Sequence, residues 1–425
     1  MGMWILIRYK SLQFTVYGLQ FTVYSLRFTV YGLRFTVYSL QLITRMDHNI
    51  LRIEFENAVG EVVCFDNGTE VREYQAIIHV ANPRLAYAQQ LEAVMNAYDA
   101  LRSQFAGTQA VFKRYFLSDA ANQADDVIAA DLSLCAKSII QQAPLDGTKV
   151  ALWVYLMSGV ETQFNKSGLY EVRHGAFRHL FNASAYNLAA NSEYQMRLLF
   201  NEYVMQLAEE GCKLSENCIR TWLFVNDIDL NYGGVVRARN QVFFTQGLTV
   251  HTHFIASTGI GGRQQDPNVL SQMDNYAIAG IRQEQIHYLY ASTHLNRTSD
   301  YGVSFERGTY VDYGDRRHVF ISGTASINNK GEIMHPKDIE QQTRRMWENV
   351  EALLKEAECS FDDVTEMVVY LRDIADYDIV RGLYEERFPG KPCVIVHAAV
   401  CRPGWLVEME CMAVKAQKKT EYPDF

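Results

Sequence analysis

Residues Arg317-His318-Val319-Phe320-Ile321-Ser322-Gly323 read as an apolar strand ending at glycine. The helical stretch QQTRRMWENVEALLKEAE (341–358), the strand-like DDVTEMVVYLRD (362–373), a second helix DYDIVRGLYEERF (376–388) and the strand CVIVHAAVC (393–401) follow it. The same order occurs upstream. Arg178-His179-Leu180-Phe181-Asn182-Ala183 precedes EYQMRLLFNEYVMQLAEEG, ENCIRTWLFVNDID, VVRARNQVFFTQG and THFIAST. A fainter copy runs QAIIHVA, AYAQQLEAVMNAYDALRSQFA, AVFKRYFLSD, NQADDVIAADLSL and VALWVYLMSG. The helices are read from apolar residues three and four apart, as at Met346, Val350, Leu353 and Leu354. The strands are read from short β-branched and aromatic runs ending at Asp or Gly, as in Val368-Val369-Tyr370-Leu371 before Asp373. Internal repetition of this kind decides the architecture. Each copy is a β(β)αβαβ unit whose helices cover one face of a mixed sheet. The expected fold class is therefore α+β, with three such lobes around a pseudo-threefold axis.

The expected organisation is a heptapeptide extension over 1–45, a degenerate lobe over 46–165, a second lobe with a linker over 166–300, and a C-terminal catalytic lobe over 301–425. The segment around 260–300 is read as the linker. Residues 12–39 repeat LQFTVYG, LQFTVYS, LRFTVYG and LRFTVYS. An odd apolar period fits neither a coiled-coil seam nor one continuous strand, because it flips the buried face at every repeat. The repeat is thus expected to lie outside the fold, with Met46 opening it.

Composition narrows the function. A chain of 425 residues with 48% hydrophobic residues can build several cores, and its formal charge of −9, without a basic run, disfavours a nucleic acid or an acidic membrane as partner. No apolar run approaches the roughly 20 residues that a membrane helix needs. The eight cysteines show neither CxxC pairs nor framework spacing and read as reduced thiols, which points to a cytoplasmic setting. His251-Thr252-His253 would place two imidazoles on one face of a strand, but no third ligand follows, so no metal is expected. The Gly259-Ile260-Gly261-Gly262 turn lacks the context of a nucleotide loop, so no cofactor is expected either. A small molecule is the expected partner. A pseudo-trimer closes its own ring, so the expected state is a monomer or a weak homo-oligomer.

Chemistry concentrates in Val400-Cys401-Arg402-Pro403-Gly404-Trp405-Leu406-Val407-Glu408-Met409-Glu410, read as a hairpin around a Pro-Gly turn. Alternation puts Glu408 and Glu410 on one face. A thiol, a guanidinium and two carboxylates gathered at one turn make a site worth testing, although the spacing alone favours an ordinary edge hairpin with solvated Glu residues.

Residues 301–416, through "FISGTAS", "VVYLRD" and "LVEME", resemble the YjgF/RidA family, whose small chorismate mutase-like subunits form trimers with pockets between them. Where that family's imine deaminases carry Arg in a P-A-R-S phrase, this chain has Pro392-Cys393-Val394-Ile395. A longer run of phrases, "GIGGR", "TSDYGVSFERGTYV", "VFISGTASI", "VYLRD" and "VCRPGWLVEME", is similar to the chorismatases. That resemblance implies cofactor-independent release of pyruvate from chorismate, a dicarboxylate, leaving 3-hydroxybenzoate or a dihydroxycyclohexadiene carboxylate. It implies Glu408 as the acid that protonates the enolpyruvyl ether and Cys401 as the residue that separates the two ring products. Arg307, Arg402 and Arg263 would be carboxylate ligands, with Tyr301 and Ala325 as pocket walls. Arg402 is also the candidate most readily assigned a structural ion pair. A RidA-like enamine or imine deaminase and a non-catalytic binder of aromatic acids remain as alternatives.

Overall fold

The structure, a computed structural model, describes residues 7–9, 25–30, 33–38 and 48–425. The chain divides into two compact units, Met1–Asp47 and His48–Phe425. In the first, β1 (Ile7–Tyr9), β2 (Ser25–Val30) and β3 (Leu33–Tyr38) pair antiparallel in that order. The remainder of the heptapeptide array lies outside the described residues.

The second unit holds three six-stranded sheets of one topology. In the first lobe, β4 (His48–Phe55), β5 (Ala58–Phe65) and β6 (Glu73–Val80) lead into α1 (Tyr87–Gln104), β7 (Thr108–Leu117), α2 (Ala120–Ala130), β8 (Ala136–Gln141) and β9 (Val150–Ser158). The strands are ordered β4-β5-β6-β9-β7-β8. In the second lobe, β10 (Glu161–Phe164), β11 (Tyr170–His174) and β12 (Phe177–Tyr186) precede α3 (Ser192–Glu209), the short α4 (Leu214–Asn217), β13 (Cys218–Val225), α5 (Ile228–Thr245), β14 (Ala256–Gly261) and β15 (Ser271–Ala279). In the third, β16 (Ile286–Leu289), β17 (Gly308–Asp312) and β18 (Arg316–Ala325) precede α6 (Ile339–Glu356), β19 (Val364–Leu371), α7 (Tyr377–Arg387), β20 (Cys393–His397) and β21 (Val407–Ala416). Both sheets repeat the order of the first, as β10-β11-β12-β15-β13-β14 and β16-β17-β18-β21-β19-β20. The α+β class and the pseudo-threefold arrangement follow from this repetition.

Helices cover one face of each sheet, and the opposite faces meet at the axis. α6 shows how sequence sets this arrangement. Asp338 caps it by accepting from the Gln341 amide, and Met346, Val350, Leu353 and Leu354 are fully buried toward the sheet. At the axis Phe112 stacks on Trp222 at 5.9 Å, Trp153 meets Trp222 at 6.4 Å, and Tyr276 meets Phe320 at 5.5 Å. Each lobe thereby buries an aromatic face that would be exposed if it stood alone.

Two readings need correction. Residues 260–300 are not a linker, since they contain β15, the strand between β12 and β13, and β16, the first strand of the third sheet. A boundary at 165/166 falls just after β10, which pairs within the second sheet. The stretch Val400–Glu410 is not a hairpin either. β20 pairs parallel with β19, β21 pairs antiparallel with β18 and β19, and β19 stands between them. Val400 instead bridges Ile260 of the second lobe, and the Gly261 amide donates to the Ala399 carbonyl at 2.8 Å. Residues 398–406 are a crossover that touches the neighbouring lobe on its way to the central strand.

Candidate active site at the seam of the second and third lobes

That crossover delivers Cys401, Arg402 and Trp405 to a cleft between lobes, and β21 then places Glu408 at its floor. The cavity is about 30 Å³ and is lined from the third lobe by Tyr301, Val303, Phe305, Arg307, Gly323, Ala325, Cys401, Arg402, Trp405 and Glu408. The second lobe contributes Tyr232 and Arg239 from α5 and Ser257 and Gly259 from β14. The seam is built from backbone to side chain. The Ser257 amide donates to Ser322 Oγ at 2.9 Å and the Gly323 amide to Thr258 Oγ1 at 2.8 Å.

Glu408 is 3% exposed, lies opposite Ala325 in the β18–β21 register, and takes part in no ion pair among the described residues. A side chain at position 323 would collide with it, because a Cβ there would fall 2.0 Å from Glu408 Oε1. The glycine of "FISGTAS" therefore makes room for the acid. Burial, and after it the neighbouring Glu410 carboxylate, push the Glu408 pKa up to about 8 against the opposing pull of Arg307 and Arg220. The group consequently carries a proton at neutral pH. Glu410, on the same face of β21, has a different environment. Its Oε2 accepts from Arg220 Nη2 at 2.7 Å and its Oε1 from Trp222 Nε1 at 2.8 Å.

Burial, and then the adjacent Glu408, raise the Cys401 thiol to about 12, so it is present as a thiol. Arg307 is 3% exposed; its Nε and Nη2 donate to the Asn296 carbonyl and Nη2 also to Asn296 Oδ1, and it has no carboxylate partner among the described residues. Tyr301 ends a single turn of 3-10 helix (Thr298–Tyr301), and its buried hydroxyl is unpartnered among the described residues. Burial is also the main cause that raises its pKa. Arg402, anticipated as a structural ion-pair partner, makes no ion pair among the described residues. It is exposed, and its guanidinium lies over the rings of Tyr301 (4.8 Å) and Trp405 (5.5 Å). These three side chains form the wall between the inner cavity and an outer one of about 150 Å³.

Arg263 is elsewhere. Beyond β14 the chain turns to the first lobe, where the Gln141 amide donates to the Arg263 carbonyl at 2.8 Å, so the arginine of "GIGGR" sits at another seam while Gly259 reaches the cleft. His251 and His253 precede β14 and are not on a strand, and His253 stacks on Tyr288 at 4.3 Å. Val394 is buried and lines the cleft between the first and third lobes.

Two residues were missed. Arg239 is 1% exposed and makes no hydrogen bond or ion pair among the described residues; its Nε and Nη2 are buried without a partner and its guanidinium lies 5.8 Å from the Phe305 ring. A fully buried, unpaired cation is costly unless an anion joins it. Tyr232 lies two helical turns earlier against Gly259, its pKa raised by burial and then by Cys401. A signal for Arg239 existed in the sequence. Val235, Ala238, Val242 and Phe243 mark the buried stripe of α5, and Arg239 falls within it.

Residues 305–415 match the family model described as endoribonuclease L-PSP. A RutC family protein of Pyrococcus abyssi is 38% identical over 100 residues, covering 23% of this chain and 78% of that protein. Among solved structures, a chorismatase superposes with a TM-score of 0.58 at 19% identity, covering 72% of this chain and 92% of its own. The YjgF gene product of E. coli aligns at 24% identity over 30% of this chain and 98% of its own, with a TM-score of 0.25.

Proposed function

The chain belongs to the RutC family, and from that premise we propose that it is a cofactor-independent chorismatase, releasing pyruvate from chorismate at the cleft between its second and third lobes. The observation that carries the reading is a protonated carboxyl beside cations that have no anion of their own. Glu408 holds a proton at neutral pH, while Arg239 and Arg307 lack carboxylate partners among the described residues. A substrate with two carboxylates and an acid-labile enol ether complements that set. Such a ring is too large for a cavity of about 30 Å³, so entry opens the wall of Tyr301, Arg402 and Trp405 toward the outer cavity.

In the proposed reaction Glu408 gives its proton to the terminal methylene of the enolpyruvyl group, and a C–H bond forms as the carboxyl becomes carboxylate. The side chain is then an oxocarbenium ion, with positive charge facing the new Glu408 carboxylate. Water adding to its central carbon gives a hemiketal. Collapse breaks the bond to the ring oxygen, yields pyruvate and a ring diol, and returns one proton to Glu408. In the second course the neighbouring ring hydroxyl takes the place of water. The resulting cyclic ketal loses the ring's bond to the former hydroxyl oxygen and the hydrogen of the ether-bearing carbon, so the ring becomes aromatic. Collapse then leaves the ether oxygen on 3-hydroxybenzoate and the other oxygen in pyruvate, and the two products together account for every atom of chorismate. In this reading Cys401, a thiol facing Glu408 and Tyr232, shuttles the proton of that aromatising course, giving one to the departing oxygen and regaining one from the ring. The proposed setting is a soluble, cytoplasmic protein of secondary metabolism; among the described residues no helix is long and apolar enough to cross a membrane.

The test is incubation with chorismate, with pyruvate measured enzymatically and the ring product by chromatography. Pyruvate with 3-hydroxybenzoate is expected, and Cys401→Ala should divert the ring product to the diol. Unchanged 3-hydroxybenzoate output from Cys401→Ala would overturn the role given to the thiol.

A further inference from the structure

Glu408 and Glu410 are two residues apart on one face of β21, at the level where all three lobes meet. Besides Arg220 and Trp222, Glu410 faces Arg114, whose Nη1 lies 3.5 Å from Oε1. Arg114 is held in turn by Asp274 at 2.9 Å. The first lobe supplies Arg114, the second supplies Arg220, Trp222 and Asp274, and the third supplies Glu410, every one of them buried. The network also reaches the acid. Arg220 Nη2 donates to Thr258 Oγ1 at 2.5 Å, Thr258 accepts from the Gly323 amide, and Gly323 is the residue against which the Glu408 carboxyl rests.

We propose that Glu410 is a positioning residue for the reaction of the neighbouring cleft: a carboxylate locked by arginines of the other two lobes, it holds a fixed negative charge beside Glu408. This inference rests on the role given to Glu408 above. Glue between lobes would need only a neutral balance of charges, and the placement does more. Facing Glu408 are Arg307 from the segment before β17, Arg239 and Tyr232 from α5, and Cys401, Tyr301 and Arg402 from the wall. Facing Glu410 are Arg114 from β7, Arg220 from β13, and Glu366 and Tyr370 from β19. Burial, with Glu410 as the next cause, raises the Glu366 carboxyl well above the usual carboxylate range, while Glu410 pairs with Arg220 and shares Arg114 with Asp274. Without Glu410, burial alone would stand against the pull of Arg307 and Arg220, and Glu408 would hold its proton less firmly. With it, burial and the Glu410 charge together outweigh the cations.

Infrared difference titration of the full-length, substrate-free protein reads the Glu408 proton directly, with Glu408→Gln as the reference that removes its band. The native midpoint is expected at about 8. Glu410→Gln should lower it by about one pH unit, the effect of one charge at this separation in a protein interior. If Glu410→Gln does not fold, Arg220→Gln, which removes the opposing cation, should move the midpoint upward. An unmoved midpoint in whichever variant folds overturns the proposal. A shifted midpoint in a protein that releases no pyruvate would leave the coupling of Glu410 to the Glu408 proton standing but remove the proposed reaction and the positioning role within it, so the two failures are distinguishable.

Discussion

The cleft between the second and third lobes and the cleft between the third and first lobes are built from corresponding elements, yet they differ in how their polar groups are satisfied. At the same end of each sheet, β21 sets Glu408 opposite Ala325 of β18, whereas β9 sets Ala151 opposite His79 of β6. The cleft of the first and third lobes is far larger, about 690 Å³ against about 30 Å³, but its polar groups satisfy one another. His79 lies between Glu61 (3.6 Å) and Asp146 (3.5 Å), and the Lys391 ammonium donates to the carbonyls of Phe361, Asp362 and Val364. In the smaller cleft Glu408, Arg239, the Tyr301 hydroxyl and the Trp405 indole N–H have no such partners among the described residues. Unsatisfied polar groups held in place by a rigid seam distinguish a candidate site better than volume does.

Three variants test this contrast in decreasing order of effect. Arg239→Gln takes away the unpaired cation and should lower kcat/KM for chorismate by about 10²-fold, with most of the change in KM, as for a charged ligand to a carboxylate. A KM equal to that of the native enzyme would place the substrate carboxylates elsewhere. Arg402→Gln opens the stack over Tyr301 and Trp405 and should change KM by about tenfold or less, because the side chain is exposed. An effect as large as that of Arg239→Gln would make the wall, and not the buried cation, the main binding element.

His79→Gln, in the other cleft, should leave pyruvate release unchanged and cost about 3 kcal/mol of stability at pH 6. Burial opposes the charged ring, but Asp146 and Glu61 outweigh it and raise its pKa to about 9. A histidine whose pKa rises on folding stabilises fully below its ordinary value of about 6.5 and loses that contribution as pH rises through about 9. Urea unfolding should therefore show the cost at pH 6 and a smaller one at pH 10. An equal cost at both values would assign it to packing instead of charge.

The three-lobe fold was legible because each copy repeats the same order of helical and strand periods, and repetition supports weak local signals. Pairing was less legible. Val400–Glu410 has the local marks of a hairpin, and only the insertion of β19 between β20 and β21, a long-range event, removes that reading. Of the candidate site residues, Glu408, Cys401, Arg307, Tyr301, Arg402 and Ala325 line one cleft, and all lie in the third lobe. Arg263 does not, because the residues after β14 turn toward the first lobe. Arg239 and Tyr232 come from the second lobe, where no phrase of the third lobe points. Their position in the apolar stripe of α5 was the available sign, and a cation in such a stripe needs an explanation that a solvated helix face cannot give.

The most direct test of the account is the initial rate of pyruvate release from chorismate by the native protein and by Glu408→Gln, followed from pH 6 to pH 10 with folding checked by circular dichroism. The account predicts release by the native protein at a rate that falls as pH rises through about 8, where the acid loses its proton. It predicts a loss of about 10³-fold in the folded Glu408→Gln protein. Pyruvate released by Glu408→Gln at the native rate, or none from the native protein at any concentration, would contradict it.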